Sequence, residues 1–499
     1  MRGPEVGGRE AEAARPPTLD GLTVVSNRQP YRHDYEDGEG ERDRVVVDRP
    51  AGGLTAGLDP VMRHAGGTWV AWGDGDADRE VVDDGDRVGV PPEDPAYTLR
   101  RLWLTDDEVA GYYRGYANQA LWPLCHAATG KMTFDAADWR DYRAVNRTFA
   151  DAVVEESGSD PRVWFQDYHF ALAPRMVRER RPDASLMQFW HIPWPAPDVF
   201  RTCPQRRDVL AGLLANDLLG FHTERYRDNF LDCVDAELDD AVVARGRNRV
   251  RYDGHVTTVG AFPMGVDAED IERRAAAATG EFWERFRREH GIAPETTVAL
   301  GVDRLDYTKG IPRRLAGLEK LWELRPEWRG EVTYVQKGSE SRSSIPAYAR
   351  HQEEVFDAID RVNDRFGTDE WTPVVYTDEL YSEDELAALY RHSDVGLVTP
   401  VRDGMNLVAK EYVAAQVDDD GVLVLSDLAG ATEGFADRGV LTTTPFDPES
   451  LAASLETALT MPADERRRRM RSLRRQVREH DIYDWMESFL GAAECASTS

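Results

Sequence analysis

Short apolar runs that end in polar residues recur along this chain, separated by stretches with helical spacing. LTVVSN (22–27), RVWFQDYH (162–169), SLMQFWHIPW (185–194) and DLLGFHT (217–223) predict buried strands with polar residues at their carboxyl ends. Between them, DWRDYRAVNRTFADAVVEE (138–156) predicts an amphipathic helix. TTVGAFPMGVD (257–267) adds one strand and a turn, and the polar helical segment EDIERRAAAATGEFWERFRREHG (269–291) follows. A second series begins at TTVALGVDRLD (296–306) and continues through VTYVQK (332–337), TPVVYTD (372–378), DVGLVTP (394–400) and GVLVLSD (421–427). Strands alternating with helices predict parallel sheets covered on both faces. The expected class is therefore α/β, with two doubly wound domains over residues 18–268 and 293–475. A helical linker over 269–292 joins them, a C-terminal helix and tail occupy 476–499, and 1–17 is expected to be a disordered extension.

Charge changes this picture in one respect. With 91 acidic against 61 basic residues the net charge is −30, and the acids are spread over DGDGDADRE, DDGDR, DAELDD and VDDDG rather than gathered in a tail. Only five basic residues are lysine (Lys131, Lys309, Lys320, Lys337, Lys410); the rest are arginine. A solvated anionic surface poor in lysine suits a cytoplasm of very high salt, where screening removes much of the self-repulsion. Such a field makes nucleic acid an unexpected partner. Four cysteines without a C-x-x-C pair are no disulfide framework. Residues 1–17 lack the apolar core of a secretory signal, and no run approaches the ~18 apolar residues of a membrane helix. The expectation is a soluble cytoplasmic protein with no membrane partner, its oligomeric state left open between monomer and homo-oligomer.

Open α/β sheets bind ligands beyond the carboxyl ends of their strands, so candidate chemistry is sought there. After VALGV comes DRLDYTKGIP, where Arg304, Lys309 and a following helix N-terminus supply converging donors for a phosphate. VRDGMNLVAKEYVAAQ (401–416) repeats the arrangement: Asp403 can accept from sugar hydroxyls, and Lys410 and Glu411 lie on the helix, about 100° apart. In the first half, SNR ends at Arg28, AGGL holds Gly52 and Gly53, and GYYRGYANQALWP presents Tyr113 and Trp122. Asp167 and His191 each end a strand. Each of these alone is as compatible with a solvated loop or a packed core as with a site. DGDAD (74–78) imitates a calcium loop, but Arg79 stands where the turn glycine belongs and Gly85 where the bidentate glutamate should be. No Walker A, H-E-x-x-H, G-x-S-x-G or G-x-G-x-x-G motif occurs, and neither metal nor cofactor is expected.

Taken in order, SNR, AGGL, YY…LWP, DYH, HIPWP, DLLGFHT, DRLDYTKG and RDGMNLVAKEYVAAQ resemble the trehalose-6-phosphate synthase family of retaining glycosyltransferases, from about residue 22 to about 490. The resemblance implies a GT-B fold: two Rossmann-like domains about a cleft, the first for the acceptor and the second for the nucleotide sugar. The helix in DIYDWMESFLGAA (481–493) would return to the first domain. It implies transfer of glucose from a nucleotide sugar, UDP-glucose foremost, to glucose 6-phosphate, with retention and without an enzyme nucleophile. Arg304 and Lys309 would then hold the donor diphosphate, Asp403 the transferred glucose and Glu411 the ribose. Leu407, Val408, Ala409, Lys410, Tyr381, Gly52 and Gly53 would complete the donor site. Arg28, Tyr113, Asp167 and Arg342 would form the acceptor site, with Arg28 and Arg342 on its phosphate, while Trp122 and His191 orient the reacting sugar. Asp167, His191, Arg304, Lys309 and Asp403 are the expected catalytic set. Two departures stand out: a longer acidic insertion between SNR and AGGL (29–50), and QKGSESRSS around Arg342. The rival expectations are a glucosylglycerol-phosphate synthase taking glycerol 3-phosphate, and a non-catalytic sugar-phosphate sensor that binds without turnover.

The net charge of −30 makes a first prediction. Thermal midpoint and structure should be lost progressively as potassium chloride is lowered from multimolar to millimolar, because self-repulsion becomes unscreened. A midpoint that stays flat over that range would count against adaptation to high salt.

Overall fold

A computed structural model describes residues 21–36, 44–49 and 53–497. The expected extension 1–17, Gly52 and part of the acidic insertion lie outside the described residues. Strand Leu22–Val25 is wholly buried and pairs in parallel with Arg162–Gln166 on one side and Thr68–Trp72 on the other. Beyond Arg162–Gln166 the sheet continues through Ser185–Trp190, Leu218–Phe221 and His255–Ala261, all parallel. Sequence order therefore reverses at Leu22–Val25, which makes its carboxyl end a switch point. Antiparallel strands close both edges, Val242–Ala244 with Arg249–Tyr252 at one and Arg87–Val90 at the other. With Tyr97–Leu102, which pairs in parallel with Thr68–Trp72 and antiparallel with Arg87–Val90, they complete ten strands.

The second sheet has six strands, ordered Val374–Thr377, Val332–Ser339, Thr297–Arg304, Val395–Val398, Val422–Ser426, Leu441–Thr443. All its pairings are parallel, and order reverses between Thr297–Arg304 and Val395–Val398. These are the strands whose ends carry Arg304 and Asp403. The segment expected as a linker forms helices Ala268–Ala277 and Gly280–Glu289, and its Ala275 and Phe286 join the core of the second sheet with Leu300 and Val335.

Within the insertion, Arg32–Glu36 and Arg44–Asp48 form an antiparallel ribbon. Its root is fastened by Arg101, which is fully buried on strand Tyr97–Leu102. Arg101 donates to Gln29 Oε1 at 2.8 Å and to the Tyr31 carbonyl at 3.0 Å, and pairs with Asp78 Oδ1 at 3.0 Å. Burial would raise the Asp78 carboxyl, but hydrogen bonds from His33 and Gln29 and the Arg101 charge hold it below its ordinary value. The DGDAD segment thus carries a carboxylate for a buried arginine.

Helix Ile482–Ser497 returns across the first sheet. Trp485 packs 5.6 Å from Trp164 and 5.0 Å from Phe189, and Phe489 stacks 5.2 Å from Trp164. Among the described residues no helix is long and apolar enough to cross a membrane. Trp485 is 2% exposed, so Trp485→Ala removes a large buried ring from this seam. Urea unfolding at high salt should show about 3–5 kcal/mol of lost stability. A loss of less than about 1 kcal/mol would mean that the helix docks without that ring.

Candidate active site

The carboxyl ends of the two sheets face each other, and the polar residues that end their strands meet between them. On the second-domain side, strand Thr297–Arg304 delivers Arg304 and then a tight turn. Asp306 caps that turn by accepting from the Thr308 N–H at 2.9 Å, and Gly310 follows at φ +70°. A Cβ at Gly310 would also overlap the Thr399 carbonyl oxygen, which fixes glycine there as the start of helix Ile311–Leu324. The turn aims Lys309 Nζ at Asp403 Oδ2, 2.5 Å away. Asn406, at φ +74°, donates to the same carboxylate at 3.1 Å and caps helix Leu407–Ala415 by accepting from the Ala409 N–H. Burial would raise the Asp403 carboxyl; the Lys309 charge and hydrogen bond, with Asn406, hold it below the usual range. The first-turn N–H groups of Leu407 and Val408 have no acceptor inside the helix, whose N-cap Asn406 touches this pair.

On the first-domain side, Asp167 follows strand Arg162–Gln166 at φ +69°. Its Oδ1 accepts from the His191 N–H at 3.1 Å. Burial raises its carboxyl to about 7, against hydrogen bonds from Tyr168 and His191 and the charges of Arg342 and Arg304. His191 Nε2 meets Gln166 Oε1 at 2.9 Å, and burial keeps the ring neutral. Its main chain therefore serves Asp167 while its ring packs among Phe189, His222 and Trp485.

Arg342 crosses the cleft. From φ +51° it places its guanidinium 4.2 Å over the Trp122 ring and donates to Tyr348 OH at 2.7 Å and to Tyr168 OH at 3.2 Å. Asp306 Oδ2 lies 3.6 Å from it. Arg304 approaches the same indole at 5.8 Å, and the His126 ring lies tilted against it at 4.3 Å. Tyr113, carried by a π-helix over Val109–Leu121, lies between Arg342 and Arg28. Burial alone would raise its phenol, but the charges of and hydrogen bonds to Arg342 and Arg28 bring it down to about 8.

Of the residues singled out in the sequence, Arg28, Tyr113, Trp122, Asp167, Arg304, Lys309, Arg342 and Asp403 meet in this cleft, with the His191 main chain. Others stand apart. Lys410 does not reach the Lys309–Asp403 pair: its buried ammonium donates to the Met264 carbonyl at 2.5 Å, and burial lowers it to about 8. Successive residues on a helix point about 100° apart, and here the lysine faces the interdomain segment. Glu411 accepts from Tyr390 OH at 2.9 Å. Tyr381 follows strand Val374–Thr377, its hydroxyl 3.0 Å from Thr377 Oγ1 and its ring 5.6 Å from Phe282. Gly53 opens helix Gly53–Ala65. The sequence reading missed Asp306, Asn406, Tyr168 and Tyr348. The first three lie inside quoted strand-end motifs and were findable; Tyr348, six residues after Arg342, carries no local signal.

Two facing doubly wound domains, a cation-rich cleft between their strand ends and a C-terminal helix crossing back define the GT-B class of glycosyltransferase. The chain belongs to glycosyltransferase family 20, whose model matches residues 20–494. A trehalose-6-phosphate synthase of Mycolicibacterium gilvum is 38% identical over 494 residues, which is 97% of this chain and 95% of that protein. A structure from E. coli bound with UDP-2-fluoro glucose superposes with a TM-score of 0.84 at 32% identity, covering 95% of this chain and 99% of its own. The UDP-forming alpha,alpha-trehalose-phosphate synthase of Burkholderia xenovorans, in complex with glucose-6-phosphate, gives 0.83 at 32% identity, covering 95% and 100%.

The lowered phenol of Tyr113 has a pH consequence. An anion bound between Arg28 and Arg342 must compete with the phenolate that forms as pH rises through about 8. Calorimetric affinity for inorganic phosphate should therefore fall above that pH, by up to about tenfold per unit, and Tyr113→Phe should abolish the fall. Parallel pH dependences in the two proteins would remove Tyr113 from the anion site.

Proposed function

We propose that this enzyme transfers glucose from a nucleotide sugar, UDP-glucose, to glucose 6-phosphate with retention of configuration, forming alpha,alpha-trehalose 6-phosphate. The observation that carries this reading is the placement of two separate cation groups in one cleft. Lys309 reaches the N-terminus of helix Leu407–Ala415 through Asp403 and Asn406, with Arg304 ending the strand that precedes Lys309, where a nucleotide diphosphate is well served. Arg28 and Arg342 flank Tyr113 across Trp122, where a sugar phosphate fits. Relatives whose structures hold UDP-2-fluoro glucose and glucose-6-phosphate support the two assignments.

In this reading Asp403 receives hydroxyls of the transferred glucose, and Asp167 with the neutral His191 orients the sugars. The bond from the anomeric carbon to the diphosphate oxygen breaks as Arg304 and Lys309 take up the developing charge. The acceptor hydroxyl oxygen bonds to the same face, and its proton passes to the departing diphosphate oxygen. No side-chain nucleophile is invoked: Asp403 is engaged by Lys309 and Asn406, and Asp167 sits with a carboxyl raised to about 7. The catalysis is then positioning plus electrostatic stabilisation. Leu407, Val408, Ala409 and Glu411 complete the nucleotide side, and the working compartment is a cytoplasm of high salt.

A donor-by-acceptor matrix at multimolar potassium chloride tests this, pairing UDP-, ADP- and GDP-glucose with glucose 6-phosphate and glycerol 3-phosphate. Turnover should be greatest with UDP-glucose and glucose 6-phosphate. Arg304→Ala or Lys309→Ala should lower kcat by roughly 10²–10³-fold. Arg342→Ala should raise the acceptor KM and leave the donor KM nearly unchanged. Binding of both substrates without turnover, or preference for glycerol 3-phosphate, would overturn the assignment.

A further inference from the structure

Asp403 is restrained from both domains at once. Its carboxylate is held by Lys309 and Asn406, all within the second domain. Its carbonyl accepts from Tyr226 OH at 2.9 Å, and Tyr226 lies on helix Glu224–Glu237 of the first domain. Tyr226 is 5% exposed and belongs to the first-domain core with Phe221, Phe230 and Trp194. The same carbonyl also accepts from the Gly430 N–H at 3.2 Å. One residue on, a Cβ at Gly404 would overlap the His191 carbonyl oxygen and lie 3.2 Å from Ile192 Cα. The Asp403–Gly404 peptide is thus pressed against first-domain main chain on one side and hydrogen-bonded to a first-domain phenol on another.

From this geometry we infer that Tyr226 is a positioning residue: it ties the Asp403 main chain to the first domain, so that the carboxylate is held in register with the first-domain groups when the cleft is closed. A bond of 2.9 Å between domains does not survive their separation by several ångströms, so the tie reports closure. Once it is made, rotation of the Asp403 peptide is blocked by Gly404 against His191, and the carboxylate is left where Lys309 and Asn406 meet it. Burial pushes the phenol above its ordinary value, so the hydroxyl keeps its proton and remains a donor.

The inference rests on the proposed role of Asp403 toward the transferred sugar, and its test separates the two. Tyr226→Phe keeps the buried ring and removes only the donor. kcat should fall about 3–10-fold, as for one lost hydrogen bond, with the donor KM and the affinity for UDP unchanged. In an Asp403→Ala background the same substitution should have no further effect, because it acts through Asp403. Hydrogen exchange over residues 402–406, measured with UDP bound, should be faster in Tyr226→Phe than in the unaltered enzyme. That readout needs no turnover, so it decides the tie even if the substrate assignment fails. An unchanged kcat, an equal loss in the Asp403→Ala background, or unchanged exchange would each overturn the inference.

Discussion

Holding four cations in one cleft, the Arg342 side chain buried, Arg304 and Lys309 half-buried and Arg28 exposed, is the constraint on which the rest of this structure depends. Arg28, Arg304, Lys309 and Arg342 must be held apart from one another inside a protein of net charge −30. Each pair of like charges resists burial unless something of opposite character stands close. Asp403 serves Lys309, Asp306 serves Arg342, and the Trp122 ring offers its face to both Arg342 and Arg304. Asp306 is held ionised although fully buried, because Arg342, Arg304 and Lys309 outweigh the desolvation that would raise it. The cleft is a set of cations, of which Lys309, Arg342 and Arg304 each have a carboxylate or an aromatic face close by.

That arrangement is supported by backbone conformations that side chains seldom adopt. Asp167, Arg342 and Asn406 have φ of +69°, +51° and +74°. Each costs of order 1–3 kcal/mol and persists only where the surroundings over-determine it. Here they do: Asp167 N–H donates to the Phe189 carbonyl at 2.7 Å, Arg342 is fastened by two tyrosines, and Asn406 caps a helix while touching Asp403. All three residues lie in the loops that follow the strands, where a scaffold can bear local strain in exchange for a side-chain direction.

Two of the five lysines explain why lysine survives at all in so arginine-rich a chain. Lys309 meets a single carboxylate oxygen, a contact for a compact point charge rather than a planar fork. Lys410 meets one backbone carbonyl in the segment joining the two sheets, a buried position where a bulkier guanidinium would leave donors unpaired. The first meets a carboxylate in the cleft and the second a main-chain carbonyl away from that pair, although both residues sit in equally suggestive motifs.

How much of this was legible in the chain itself depends on how local each feature is. Two doubly wound domains follow from apolar runs and helical spacing, which are properties of neighbouring residues. The placement of Arg304, Lys309, Asp167 and Asp403 follows from one further rule, that ligands meet the carboxyl ends of parallel strands. Strands such as Tyr97–Leu102 stayed hidden because YTLRRL carries two arginines, and only the folded chain supplies Asp78 and Gln29 to bury Arg101. Likewise, no spacing shows that Lys410 faces Met264, that Tyr226 reaches the Asp403 carbonyl, or that Tyr348 stands behind Arg342. The sequence by itself determined the class of fold and the strand ends that carry chemistry, because periodicity and composition act over a few residues. Tertiary structure alone decided which charge meets which partner, because each of those contacts depends on a helix rotation or a domain apposition that distant segments set together.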